Sequence, residues 1–117
     1  MTQEEAQYRL RILEYGKWLN AALAFPPKSI IQRSVRSLDQ LCFLLEPSAN
    51  SYPSVQLEAL IQWVREDLED VDLAEKIDAI VLTQSSYIDK CLAIYKVATE
   101  RRKYLEFLAK GECNVVC

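Results

Sequence analysis

Few side chains in this chain of 117 residues belong to the types that carry out chemistry. The sequence contains no histidine, which is the commonest general base and the commonest metal ligand in proteins. It also contains no glycine-rich phosphate loop, no nucleophile elbow and no helical metal motif. These residue types predict binding rather than catalysis, and they predict no cofactor.

The four cysteines, Cys42, Cys91, Cys113 and Cys117, are the remaining candidates for chemistry. Cys42 and Cys91 stand among apolar residues at helical spacing, which is typical of small buried side chains. Cys113 and Cys117 are close enough in sequence to form a redox-active disulfide, but no basic residue stands beside them to activate a thiol, so we expect an untethered tail. We expect no zinc site, because structural zinc sites use closely spaced pairs of ligands, often with histidine.

Arg101 and Gln84 fall on the apolar seam of the last predicted helical segment. Buried polar groups are costly unless they are paired. One interpretation is a small all-α enzyme that binds a carboxylate substrate through an electrostatic Arg/Gln site. We favour a structural role for both residues, because no acid or base stands beside them.

Basic residues form two groups in the sequence, and each group is a candidate for binding phosphates. If the groups shared one face, they could contact the phosphates of RNA or DNA. The net charge of −3 and the neighbouring Glu100 and Glu106 argue against this role. Nucleic-acid contact is therefore an alternative that we do not favour. The candidate residues are Arg33, Arg36, Arg101, Arg102 and Lys103.

An apolar and aromatic stripe on the first predicted helix is the main candidate for a binding surface. Tyr and Trp are enriched in the cores of protein interfaces. The leading hypothesis is a non-catalytic protein-interaction module, an adaptor, chaperone-like factor or assembly subunit. It would dock on a protein partner or on a second copy, and we expect a homo-oligomer. The stripe contains Tyr8, Ile12, Tyr15, Trp18 and Leu19.

The elements that position these residues are predicted to be helical. The chain has two glycines and four prolines, and neither type occurs between Leu73 and Lys110. Glycine and proline interrupt helices, and no segment shows the alternation of a half-buried strand. The predicted fold is all-α, an antiparallel bundle of four or five helices with a long C-terminal helical segment.

The predicted helices cover residues 2–24, 28–45 and 54–70, followed by a segment over 73–110 that breaks near Ser85. Thr2 and Glu5 have the spacing of a capping box, and Pro26 and Pro27 end the first helix. Gly16 lies within that predicted helix, where it would cost about 1 kcal/mol relative to alanine.

Residues 1–110 are predicted to form a single helical-bundle domain, and residues 111–117 a short tail. No apolar run approaches the roughly 20 residues of a membrane helix. The acidic and polar start of the chain differs from the basic start of a signal peptide. We therefore expect a cytoplasmic protein that does not contact a membrane.

Overall fold

A computed structural model of the chain describes residues 2–27, 29–84 and 86–110. These residues form five α-helices, one π-helical turn and a three-stranded sheet. The protein is therefore mixed α/β, and the predictions of an all-α fold and of a helical bundle are wrong. In chain order the elements are α1 (Gln3–Leu10), β1 (Leu19–Phe25), β2 (Ser29–Val35), α2 (Leu38–Leu45), β3 (Tyr52–Ser54), α3 (Leu57–Gln62), the π-helical turn (Trp63–Asp67), α4 (Val71–Thr83) and α5 (Tyr87–Lys110).

The sheet has the strand order β2-β1-β3, and both neighbouring pairs are antiparallel. In the β1–β2 hairpin, Leu19 pairs with Val35 and Phe25 pairs with Ser29. Leu19, Ala21 and Val35 face the hydrophobic core, so one side of the sheet packs against the helices. Because β1 is the central strand, β2 and β3 form the two edges of this sheet.

The first predicted helix is wrong beyond Leu10, because the chain turns and then continues as β1. Arg11 caps α1 with extended backbone, so the helix does not continue. Gly16 lies in the following turn with φ of 98°, a conformation that glycine adopts far more readily than other residues. The apolar and aromatic stripe assigned to one helix therefore belongs to a helix, a turn and a strand.

The second and third predicted helices each begin too early in the sequence. Residues 29–35 form β2, whose Ile30, Ile31 and Val35 are β-branched and suit a strand. Helix α2 begins at Leu38, where the Ser37 hydroxyl accepts a hydrogen bond from the Gln40 N–H at 3.3 Å. Residues 52–54 form β3, and α3 begins only at residue 57.

The predicted breaks in the C-terminal half are confirmed. The π-helical turn ends before Glu69, whose φ of 58° redirects the chain, and α4 begins at residue 71. Its N-cap is Asp70, whose side chain accepts a hydrogen bond from the Leu73 N–H. Near residue 85, α4 ends and the Ser86 hydroxyl accepts a hydrogen bond from the Asp89 N–H at 3.1 Å. Helix α5 then runs for 24 residues to Lys110.

A buried carboxylate connects three of the helices. Asp70 is 1% exposed and accepts two hydrogen bonds from Arg101 of α5, each at 2.9 Å. Arg9 of α1 approaches the same carboxylate at 3.5 Å, and the Leu73 N–H of α4 donates to it at 3.3 Å. Arg101 therefore has the structural role that its position on the apolar seam indicated. Gln84 is exposed at the end of α4.

Tyr87 connects the sheet to the first turn of α5. Its hydroxyl donates a hydrogen bond to the Pro53 carbonyl at 2.8 Å and accepts one from the Val55 N–H at 3.0 Å. Burial raises the pKa of Tyr87 to about 12, so the phenol stays neutral and keeps its proton for the carbonyl. The position of β3 is therefore fixed relative to α5.

Replacing Gly16 with alanine distinguishes the observed turn from the predicted helix. The free energy of unfolding should fall if Gly16 lies in the turn and rise if it lies within a helix. The site has open space, since no atom lies within 4 Å of the added Cβ. We expect Gly16→Ala to lower the free energy of unfolding by about 1–2 kcal/mol, because an L-residue is strained at positive φ. Gly16→Asn should cost less, because Asn tolerates positive φ better. Urea denaturation measures both, and stabilisation by alanine would support a helix instead.

Replacing Asp70 and Asp72 in turn compares what a buried and an exposed carboxylate contribute to the free energy of unfolding. Asp70→Asn leaves Arg101 without its main partner, so we expect a loss of about 3 kcal/mol in the free energy of unfolding. Asp72→Asn is the matched control, because Asp72 lies 3.8 Å from the same arginine but its side chain is 71% exposed. The control should change stability by less than about 1 kcal/mol. Equal losses in the two variants would contradict the central role of Asp70.

Candidate functional site

The residues predicted to form a protein interface lie on different elements and differ in their exposure. Tyr8 is on α1, whereas Ile12 and Tyr15 are in the segment between α1 and β1 and are 72% and 86% exposed. Trp18 is partly buried, and Leu19 is part of the core at 5% exposure. The set therefore divides into exposed residues, an anchored aromatic ring and a core residue.

Tyr8 is half-exposed, but its polar groups are engaged within the chain. Its hydroxyl donates a hydrogen bond to Glu69, which raises the pKa of the Tyr8 phenol. The guanidinium of Arg11 lies 3.6 Å from the centre of the Tyr8 ring and donates to the Asp67 carbonyl at 2.8 Å. These contacts hold the end of α1 against the π-helical turn.

Trp18 is held between the segment that precedes β1 and the end of β2. Its indole N–H donates to the Leu13 carbonyl at 2.8 Å, and the Tyr15 ring meets it edge-on at 5.1 Å. The guanidinium of Arg36 lies over the Trp18 ring at 4.1 Å from its centre. Trp18 therefore positions Arg36, a role that the sequence analysis did not assign to it.

The five basic residues predicted to contact phosphates have different surroundings. Arg101 binds Asp70, and Arg102 is paired with Asp39 at 3.2 Å. Lys103 is exposed on α5. Arg33 and Arg36 line one groove, and neither lies within 4.0 Å of a carboxylate in the described parts of the chain.

This groove, between β2 and α2, is the candidate functional site. It has a volume of about 670 Å³. Arg33 lies two residues before the core residue Val35, so alternation along the strand places both on the side of the sheet that faces α2. Phe43 of α2 contributes a ring that is 70% exposed. The lining residues are Leu23, Gln32, Arg33, Ser34, Val35, Arg36, Gln40, Phe43 and Leu44.

The free edge of β2 borders the groove. Residues 29–34 are all exposed, with Ile30 at 67% and Ile31 at 41%. No strand among the described residues pairs with the outer edge of β2. An edge strand presents a row of unpaired N–H and C=O groups, which is a template for pairing with another chain. The groove and this edge together form a surface that can bind an extended peptide.

A second cavity of about 460 Å³ lies between the start of β1 and the π-helical turn. Its polar walls include Asn20, Gln56 and Gln62, together with the carboxylates of Glu66 and Asp67. Within the described ranges, no group of three or more acidic or cysteine residues is arranged to hold a metal ion. No described helix has the length and apolar character needed to cross a bilayer.

The arrangement predicted for a small enzyme is not assembled. Arg101 binds Asp70 at the start of α4, whereas Gln84 lies at the other end of this 13-residue helix, about 20 Å away. Cys42 and Cys91 are free and buried, as predicted, and burial raises the pKa of both thiols. Cys113 and Cys117, in the predicted tail, lie outside the described residues.

Comparison of the chain with protein-family models, with curated proteins and with solved structures gave no significant match. The candidate site therefore has to be interpreted from its own geometry and chemistry.

The sequence analysis assigned no role in binding to Ile30, Ile31 or Phe43. A signal for the hairpin was present, because Pro26 and Pro27 separate two short segments, the second rich in β-branched residues. The alanines of β1 favoured the helical interpretation. Phe43 was overlooked because it lies off the apolar seam of α2.

The burial of Cys42 and Cys91 predicts that both thiols react slowly in the folded protein. At pH 8 a raised pKa leaves less of the reactive thiolate, and the reagent gains access only through local opening. We expect alkylation by iodoacetamide to be at least about 100-fold slower than in the denatured chain. Mass spectrometry of peptides gives the rate for each cysteine. Rapid labelling of either thiol would show that it is accessible for chemistry.

Proposed function

We propose that the chain is a non-catalytic protein-interaction module that binds an extended segment of a partner along the free edge of β2. The observation that carries this proposal is the exposure of residues 29–34 on an edge strand that no described strand covers. An added strand forms main-chain hydrogen bonds with such an edge, and neighbouring pockets select its side chains. The partner is another protein or a second copy of the chain.

The groove beside β2 supports this function because it offers side-chain contacts next to the backbone edge. Phe43 is 70% exposed, and Leu23 and Leu44 line the same groove. Exposed aromatic rings in partly enclosed surfaces are frequent contributors to binding energy at protein interfaces. Main-chain pairing would supply affinity, and this groove would supply specificity.

The non-catalytic part of the proposal rests on the lack of histidine in the sequence and on the raised pKa of the Cys42 and Cys91 thiols. We also propose that the protein is cytoplasmic, because Cys42 and Cys91 are free thiols, which agrees with a reducing compartment.

Contact with RNA or DNA phosphates through Arg33 and Arg36 is the second candidate function. It is favoured by their two guanidinium groups, which have no carboxylate partner among the described residues. Arg101 and Arg102 are ion-paired within the chain, so only part of the predicted basic surface is free for this role.

Selection from a phage-displayed library of random linear peptides tests the proposed function. Binders should protect the amides of residues 29–35 from hydrogen exchange when they bind the full chain. Phe43→Ala should weaken these binders about tenfold, because an exposed ring that contacts the peptide is lost. Phe107→Ala is the matched control on α5, where Phe107 is 49% exposed, and should leave affinity unchanged.

Proline substitution separates binding at the strand edge from binding in the groove alone. The N–H groups of successive residues point to opposite sides of a strand, so either Ile31→Pro or Gln32→Pro removes an outward N–H and preserves the pairing with β1. The variant that retains the native unfolding transition should bind selected peptides about tenfold more weakly. Unchanged affinity in that variant, or protection of another surface, would contradict docking at β2.

A further inference from the structure

The groove beside β2 has a charge opposite to that of the whole chain. Its nine lining residues include two arginines and no acidic residue, although the net charge of the protein is −3. A basic groove on an acidic protein is a local feature, and it favours a partner that carries negative charge at this place.

Arg33 and Arg36 also differ from other arginines of the chain in their pairing. Four arginines elsewhere bind carboxylates in the structure, whereas the described residues provide none for Arg33, Arg36 or Arg65, and Arg65 does not line the groove. A guanidinium group has five N–H donors in a planar arrangement that matches a carboxylate. The pair therefore has donors available to a bound segment. The four carboxylate-paired arginines are Arg9, Arg11, Arg101 and Arg102.

Arg36 is held in place before any partner binds. Its backbone N–H donates to the Gln40 side chain at 2.8 Å, and its carbonyl accepts from the Leu13 N–H at 2.7 Å. Its guanidinium is stacked on Trp18, which is itself fixed by a hydrogen bond. Stacking uses the face of the guanidinium and leaves the N–H groups at its edge for a carboxylate. A positioned donor of this kind loses less conformational entropy on binding.

The apolar part of the groove lies beside this pair. On an added strand, side chains two residues apart point to the same side. A segment paired with β2 would therefore present alternate residues to the groove, one towards the arginines and the next towards Phe43.

We propose that β2 receives an extended acidic segment of a protein partner, with a carboxylate bound by Arg33 and Arg36 and an apolar side chain two residues away on Phe43. This inference rests on the proposed function and specifies the chemistry of the partner. A second copy of the chain fits less well, because its β2 strand contains Arg33 and no acidic residue to offer a carboxylate to the groove.

Synthetic peptides test this assignment on the full chain. The probe is a nine-residue peptide of alternating Thr and Val that carries one Glu and one Phe two residues apart, made in both orders. The same peptides with Gln in place of Glu differ only in the charge. By fluorescence anisotropy, the better Glu peptide should bind about tenfold more tightly than its Gln counterpart, and added salt should reduce the difference.

Variants of the arginines identify the source of this preference. Arg33→Gln and Arg36→Gln should each remove most of the difference in affinity between the Glu and Gln peptides. Arg33→Lys, which keeps the positive charge, should retain part of that difference. Lys103→Gln removes an exposed positive charge elsewhere and should leave the difference intact. Circular dichroism confirms that each variant keeps the native fold.

The outcomes separate this inference from the proposed function. Equal binding of Glu and Gln peptides, lost in the proline variant of β2, would overturn the acidic partner and leave the edge-strand function standing. No binding of any peptide at millimolar concentration would overturn both. Arginine-dependent binding of a twelve-residue thymidine oligonucleotide in place of the peptides would assign the groove to nucleic acid. Dimerisation through β2 without peptide would assign it to a second copy.

Discussion

The carboxylate of Asp70 is the interaction on which the arrangement of the helices depends. A charge that is 1% exposed is tolerated only when cations and hydrogen bonds compensate it, and Arg101 and Arg9 supply the cations. The same side chain caps α4, so one residue fixes where α4 begins, where α5 crosses it and where α1 attaches. Helix α5 in turn is attached to the sheet, because Tyr87 at its start binds the backbone on both sides of Ser54.

The free edge of β2 follows from this arrangement. The helices cover one side of a sheet with only three strands, and β1 has both of its neighbours in place. The outer edge of β2 therefore has no remaining described strand to pair with. Proteins commonly protect such edges with charge, proline or a covering loop. Here Arg33 is the only charged residue in the strand, and the adjoining groove is open, so within the described residues this edge lacks most of these protections.

The sequence was sufficient for the C-terminal half of the fold, where local signals determine the structure. Ser86 is of a residue type that favours the N-cap position and accepts the Asp89 N–H here, and the chain around Asp70 contains several capping residues. The N-terminal half was mispredicted because Ala21, Ala22 and Ala24 favour a helix, whereas pairing with β2 and β3 imposes a strand. Arg33 and Arg36 were selected for their charge and do line the groove. Their neighbours in space, including Phe43, depend on how α2 packs beside the hairpin, which the local signals for the hairpin do not specify.

Helix α1 is attached differently from the rest of the protein. Of its eight residues only Ala6 is buried, and the side-chain amides of Gln3 and Gln7 donate to the Ala109 carbonyl at the end of α5. Its other attachments are the packing of Leu10 against the core and the charged contacts of Arg9 and Arg11. Salt weakens exposed charged contacts, whereas buried ion pairs such as Asp70–Arg101 and apolar packing are screened much less. The exposed contact of Arg11 with Glu69 therefore makes the end of α1 more sensitive to the ion concentration of the surroundings than the buried junction of α4 and α5.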